Sequence, residues 1–171
     1  MELMEAIRNR RSIRRYKPDP VSDEDVKYVL EAARLAPSWA NTQCWHFVVV
    51  TDEEVKRKIG EAGWRFAAKA PLIIVACADP EKPGARGDMP NYLVDMGIVV
   101  EHLILAATER GLGTCWIGGF HEDKVKEALG IPENMRVVAY TPLGYPNEAP
   151  APRSRKSLEE IVSYNKYEQR P

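Results

Sequence analysis

Hydrophobic positions along this 171-residue chain fall into two periods. Apolar residues three and four apart at Val26, Val29, Leu30 and Ala33, behind Ser22-x-x-Asp25, predict a capped helix that stops before Pro37. Thr51-x-x-Glu54 opens a second helix reaching about Ala62. Asn91 to Arg110 is apolar nearly all round, carries Asp95 and His102 on one stripe, and closes on Gly111. Such a helix is normally enclosed, by its own domain or by a partner subunit. His121 to Leu129 reads as an amphipathic helix and Met1 to Arg8 as a helix-like stretch. Unbroken bulky runs read differently. Trp45–Val50, Pro71–Ala78 and Met135–Leu143 predict buried strands, and Thr114–Ile117 a short one. Asp79 to Pro90, with three prolines and two glycines, is expected to be a loop. Helices and strands interleave without a regular βαβ repeat. The expectation is a mixed central β-sheet flanked by helices, one domain over residues 1–171, with residues 149–171 as a C-terminal arm.

Composition narrows the classes. With 24 basic and 25 acidic side chains the net charge is −1, so nothing draws the protein generally to nucleic acid or to a membrane. The most apolar stretch, Leu93 to Ala107, is interrupted by Glu101 and His102 and falls short of a bilayer span. Cys44, Cys77 and Cys115 lie far apart, which fits reduced thiols in a cytoplasmic protein, and the charged start lacks an apolar signal core. His46, His102 and His121 have no metal-ligand spacing. Asp95 and His102 have no matched nucleophile in sequence reach, which leaves a spatial triad open. Cys44 and Cys115 are expected to pack as small hydrophobes.

Against that balanced background, Arg10-Arg11-Ser12-Ile13-Arg14-Arg15-Tyr16 is a local concentration of positive charge. The turn signal Pro18-Asp19-Pro20 follows, so the run is expected to be extended, with Arg10, Ser12, Arg14 and Tyr16 sharing one face. Two guanidinium forks beside a hydroxyl suit a phosphate. A solvated basic loop has the same composition. Arg153-Ser154-Arg155-Lys156 repeats the pattern near the other end of the chain. Between helix and strand, Pro37-Ser38-Trp39-Ala40-Asn41-Thr42-Gln43 puts two side-chain amides two residues apart. In an extended segment both would face one way, offering the donors and acceptors that the edge of a uracil-like ring requires; turn chemistry is the other reading. Gly118-Gly119 at a strand end lets backbone approach something flat, or simply turns the chain. Gly111-Leu112-Gly113 is no dinucleotide fingerprint, since it follows a helix and its sixth position is Trp116.

These segments occur in order: Arg10-Arg11-Ser12-Ile13-Arg14, Ala36-Pro37-Ser38-x-x-Asn41-x-Gln43-x-Trp45, Gly111-Leu112-Gly113…Trp116-Ile117-Gly118-Gly119, and Leu143-Gly144-Tyr145-Pro146. Together they resemble the FMN-dependent nitroreductase family over almost the whole chain. The resemblance implies an α+β fold and an intertwined homodimer with FMN at two interface sites. It implies that Arg10, Arg11, Ser12 and Arg14 hold the FMN phosphate and pyrimidine side, and that Arg153 and Arg155 close on the same phosphate. Pro37, Ser38, Asn41 and Gln43 would reach the flavin from the other subunit, and Gly118 and Gly119 would lie against its ring near N5. NAD(P)H would deliver a hydride there and leave. A nitroaromatic, quinone or conjugated enone would then take its place in a ping-pong cycle. Flavin carries that chemistry itself, so no protein catalytic residue and no metal is expected.

Two departures stand out. Members of that family often have proline after the loop glutamine, whereas this chain has Cys44, which would loosen the loop and bring a thiol towards the flavin. Only Asp79 to Pro90 is available as a lid. The alternatives are a specialised relative that dehalogenates an aromatic or fragments its own flavin, and a non-catalytic FMN-binding module.

Overall fold

Leu72–Ala78 forms strand β2, and all seven of its residues are buried in a computed structural model that describes residues 1–168. The unbroken apolar run required this, because a strand covered on both faces has no polar side. Its neighbours are β1 (Trp45–Val50) and β6 (Arg136–Gly144), and β5 (Gly113–Thr114) lies beyond β6, giving the order β1-β2-β6-β5. These strands pair antiparallel, with His46 opposite Cys77 and Ile74 opposite Thr141. The sheet's mixed character comes from one parallel bridge, Ser12 to Thr114, at the β5 edge.

Alternation along β2 divides the interior into two cores. Leu72, Ile74, Ala76 and Ala78 face helices α2 (Asp23–Arg34) and α4 (Asn91–Glu109). Ile73, Val75 and Cys77 face α3 (Glu53–Ala62) and α5 (Glu122–Leu129). Each fully buried isoleucine contributes about 1.5–3 kcal/mol of burial. The remaining elements are α1 (Leu3–Asn9), the hairpin β3 (Ala85–Arg86) and β4 (Met89–Pro90) inside the predicted loop, and α6 (Leu158–Ile161) in the arm. Residues 169–171 of the arm lie outside the described residues.

Several boundaries differ from the sequence expectation for identifiable reasons. The cap of α3 is Asp52, not Thr51: its carboxylate accepts from the Val55 N–H at 2.9 Å. The strand expected over Thr114–Ile117 ends at Thr114, because the Cys115 N–H donates to the Thr141 hydroxyl at 3.1 Å and leaves the ladder. Ile117 rejoins β6 by a single bridge to Tyr140. Helix α4 has 19 residues, matching the Asn91–Arg110 stretch to within one residue, and contrary to the expectation for Leu93–Ala107 its length and apolarity would suffice to cross a bilayer. In this fold 56% of its most apolar window is buried, as befits a core helix. Gly113 is needed at its place: a Cβ there would fall 2.8 Å from Ile13 Cγ1, so only glycine lets the arginine-rich segment cross β5.

Candidate functional site

The segment from Arg10 to Tyr16 is laid on the β5 edge by the Ser12 bridge and by the Ile13 N–H, which donates to the Thr114 carbonyl at 2.8 Å. Ile13 anchors it in the core, and Arg10, Arg11, Ser12 and Arg14 stay at least partly exposed. Tyr16 departs from the expected face. It is buried beside Ala70 and Phe66, its hydroxyl donates to the Ile13 carbonyl, and burial pushes the phenol pKa up. Strict alternation fails because the Arg14 N–H is taken by a Glu148 side-chain oxygen at 2.6 Å instead of a strand partner.

Arg10, Arg11, Ser12 and Arg14 line one cavity of about 540 Å³ together with Arg153, Arg155 and the prolines of the arm, Pro150 and Pro152. Two basic clusters from opposite ends of the chain therefore converge. The guanidiniums of Arg11, Arg14 and Arg155 bond to nearby backbone carbonyls and not to carboxylates among the described residues. Arg11 donates to the Arg8 and Arg10 carbonyls at 2.6 and 2.8 Å, and Arg155 to the Ser154 carbonyl at 3.1 Å. Among the described residues no carboxylate lies within ion-pair distance of Arg10, Arg11, Arg14, Arg153 or Arg155. A concave surface of unneutralised arginines concentrates positive potential where an anion would sit.

The amide loop is not the extended segment expected from sequence. Trp39–Asn41 forms a 3-10 turn, and Ala40, Asn41 and Gln43 have φ of 45°, 57° and 47°. Left-handed backbone costs a non-glycine residue roughly 1–2 kcal/mol, so the surroundings must hold it. The Ser38 hydroxyl accepts from the Gln43 N–H at 3.0 Å and closes the loop. The Gln43 amide donates to the Asn41 side-chain oxygen at 3.2 Å. The amides thus do come together, by a turn and not by alternation. That bond leaves the Asn41 NH₂ as a free donor and the Gln43 oxygen as a free acceptor, both exposed with Pro37. The Thr42 hydroxyl is buried without a partner in this single chain.

Beneath the loop lies Asp95 of α4. It accepts from the Trp39 N–H at 2.9 Å, and the Cys44 thiol sits 3.8 Å from its other oxygen. Its partners are the loop, not His102, so the Asp95–His102 stripe forms no relay. Cys44 packs as a small hydrophobe, as expected, and is not a thiol presented to a ligand: it turns into the core, and burial, with Asp95 nearby, pushes its pKa up to about 11. A buried, protonated thiol is a poor redox contact.

Gly118 and Gly119 are exposed at the end of the β5 segment. A Cβ on either would meet nothing closer than an indole nitrogen, Trp116 at 3.5 Å and Trp64 at 3.9 Å. Internal packing does not demand glycine here; the open space they leave fits a flat ring lying on the backbone. Two half-exposed tryptophans flank that space, Trp116 at 40% and Trp64 at 56% exposure. The Trp64 indole N–H donates to the Gly119 carbonyl at 3.1 Å, and its backbone N–H to the Tyr140 hydroxyl at 3.1 Å. Sequence reasoning missed Trp64, because nothing in its neighbourhood signals that it stays in solvent. The arginine cleft and the glycine pair belong to the β5 edge of the sheet, and the amide loop to the β1 edge. Three strand spacings, about 14 Å, separate those edges.

The Nitroreductase family profile matches residues 7–65 and 61–145. The chain belongs to the nitroreductase family. Within the family it is 42% identical over 154 residues to a putative NADH dehydrogenase/NAD(P)H nitroreductase of Archaeoglobus fulgidus, covering 86% of this chain and 87% of that one. A nitroreductase-family protein of Clostridium difficile 630 superposes with a TM-score of 0.89 at 31% identity, covering 98% of this chain and all of that one. The NADPH:FMN oxidoreductase of Vibrio harveyi, solved with NAD+, superposes with a TM-score of 0.88 at 28% identity, covering 99% and 79%. Other curated relatives are named iodotyrosine deiodinase and 5,6-dimethylbenzimidazole synthase.

Proposed function

We propose that residues 1–171 form one FMN-binding nitroreductase domain that passes reducing equivalents from NAD(P)H to a small electron-poor acceptor, acting as a cytoplasmic homodimer. The observation that carries the reading is the cavity into which Arg10, Arg11, Arg14, Arg153 and Arg155 converge, none of them ion-paired among the described residues. A doubly charged phosphate monoester matches it, since each arginine offers a fork of charge-assisted hydrogen bonds. Gly118 and Gly119 give a bare backbone surface for the flavin ring. The Asn41 donor and the Gln43 acceptor match the alternating carbonyl and N–H edge of its pyrimidine. FMN, when bound, supplies hydride acceptance from NAD(P)H and redelivery to a nitroaromatic, quinone or enone. The arginines would hold the phosphate, and the backbone amides and guanidiniums would favour negative charge on the reduced ring.

The two half-sites favour a dimer because one chain carries them on opposite sheet edges. The exposed apolar side chains Leu3, Met4 and Ile7 of α1 and Leu93 and Val94 at the start of α4 would be covered by the partner. Dehalogenation or flavin fragmentation is less well supported. The hairpin region 79–90 contains no aromatic residue to close over an aromatic substrate.

Purified protein should be yellow or take up added FMN, and NADH or NADPH should bleach it anaerobically. A colourless protein indifferent to FMN rejects the flavin reading. Bound flavin that neither nucleotide reduces would leave a binding module. Equilibrium sedimentation tests the dimer.

A further inference from the structure

Asp95 is the only buried carboxylate among the described residues, at 3% exposure. Burying a carboxylate is costly unless donors compensate it, and the usual compensation is an arginine or lysine. Among the described residues no cation lies within ion-pair distance of Asp95. Both its recorded contacts are to the loop: the Trp39 N–H at 2.9 Å and the Cys44 thiol at 3.8 Å. These contacts bracket the three left-handed residues Ala40, Asn41 and Gln43. The bracketed stretch also contains the one buried side-chain polar atom without a partner among the described residues, the Thr42 hydroxyl. A strained turn held at both ends by a costly group is more than ordinary core packing provides. Strain kept in place by its surroundings is characteristic of sites that position a ligand.

We infer that Asp95 is a positioning residue: it clamps Trp39 and Cys44 so that Asn41 and Gln43 present one free donor and one free acceptor in fixed register. It therefore controls how tightly the flavin ring is held without touching it. The inference rests on the flavin reading for its ligand, but its mechanical part concerns the loop alone. The Asp95 carboxylate acts by accepting hydrogen bonds, so an amide of the same shape can replace it at Trp39. An alanine cannot.

The test compares Asp95→Asn and Asp95→Ala with the wild-type protein by three measurements. Hydrogen exchange of peptides covering residues 38–44 is followed without FMN. FMN and inorganic phosphate affinities are titrated, and the absorption spectrum of bound flavin is recorded. Asp95→Ala should speed exchange in that segment at least tenfold and weaken FMN about 10–100-fold, the loss expected when a buried charged hydrogen-bonding partner is removed. Its residual bound flavin should show a shifted spectrum. Inorganic phosphate, which reads only the arginine cleft, should bind as in wild type. Asp95→Asn should restore exchange and FMN affinity to within about threefold of wild type, because the acceptor to Trp39 is kept. Should Asp95→Ala fail to fold, Cys44→Ala removes one clamp alone and should give the same changes at smaller size.

Unchanged exchange in the alanine variant, or unchanged FMN affinity with accelerated exchange, overturns the inference. Equal losses of phosphate and FMN in both Asp95 variants also overturn it, since that pattern is general destabilisation. If wild-type protein binds phosphate but no FMN, the flavin reading fails by itself, and the exchange comparison still decides whether Asp95 clamps the loop.

Discussion

In the arginine cleft, among the described residues, the guanidiniums of Arg11, Arg14 and Arg155 hydrogen-bond only to backbone carbonyls one to three residues away. In the amide loop, Ser38, Asn41 and Gln43 bond to one another, and Asp95 anchors the turn from a different element. The cleft thus gathers guanidiniums that form no ion pairs among the described residues, and it is shaped in part by an exposed arm. The loop is a small strained object whose geometry is already fixed. Affinity at the cleft should come from electrostatics that salt can screen, and affinity at the loop from preorganisation that salt cannot. One ligand spanning both would owe its tightness to the first and its orientation to the second.

The comparison breaks most readily at the arginines. Replacing Arg14 and Arg155 together by alanine should weaken FMN by about 100-fold or more, as two charge-assisted bonds are lost. Titration with riboflavin, which lacks the phosphate, should show little change. Equal weakening of both ligands would mean that the cleft does not read phosphate. Gly118→Ala comes next. The added methyl meets no protein atom closer than 3.5 Å, so thermal stability should hold while FMN affinity falls. That fall should be about tenfold, roughly 1.4 kcal/mol. A stable variant with unchanged affinity would remove the ring from the glycine pair.

Raising salt from about 50 to 200 mM should weaken FMN several-fold and leave riboflavin nearly flat, because exposed charges are screened over about 10 Å. A salt slope shared by the two flavins would erase the distinction between cleft and loop. The smallest effect concerns Cys44. Its folded pKa of about 11 lies above the ordinary thiol value of 9.0, so its contribution to stability is complete below pH 9 and is lost as pH rises towards 11. Iodoacetamide should label it slowly at pH 8 in native protein and rapidly after unfolding. Fast native labelling would show that the loop opens and is not held.

Strands β1, β2 and β6 were readable because unbroken bulky runs leave few other folds available, and α2 and α4 because period and stop signals agree. The chemistry of the arginine clusters was equally readable. Their convergence was not, since it depends on how the arm at 150–155 returns past the first strand-like segment. The loop was misjudged in geometry for a specific reason: Ala40, Asn41 and Gln43 take left-handed backbone without glycine, and only the tertiary clamp at Asp95 makes that tenable. Asp95 itself stood out in the helical stripe, but beside His102, the wrong neighbour. Cys44 packs in the core as its small apolar character suggests, but it does not loosen the loop: its thiol points to the carboxylate that holds it.

Helix α4 acquires a second meaning from where its ends lead. Near its start it carries Asp95 beneath the loop, and beyond its end the chain enters β5, on which the arginine segment is laid. Nineteen residues at 1.5 Å each make a rod of about 28 Å. That rod is a ruler between the two half-sites that one chain carries. An extra residue within it would advance one half by about 1.5 Å and turn it by about 100° relative to the other. The pitch of a single helix therefore fixes how the amide loop and the arginine segment of one chain stand relative to each other.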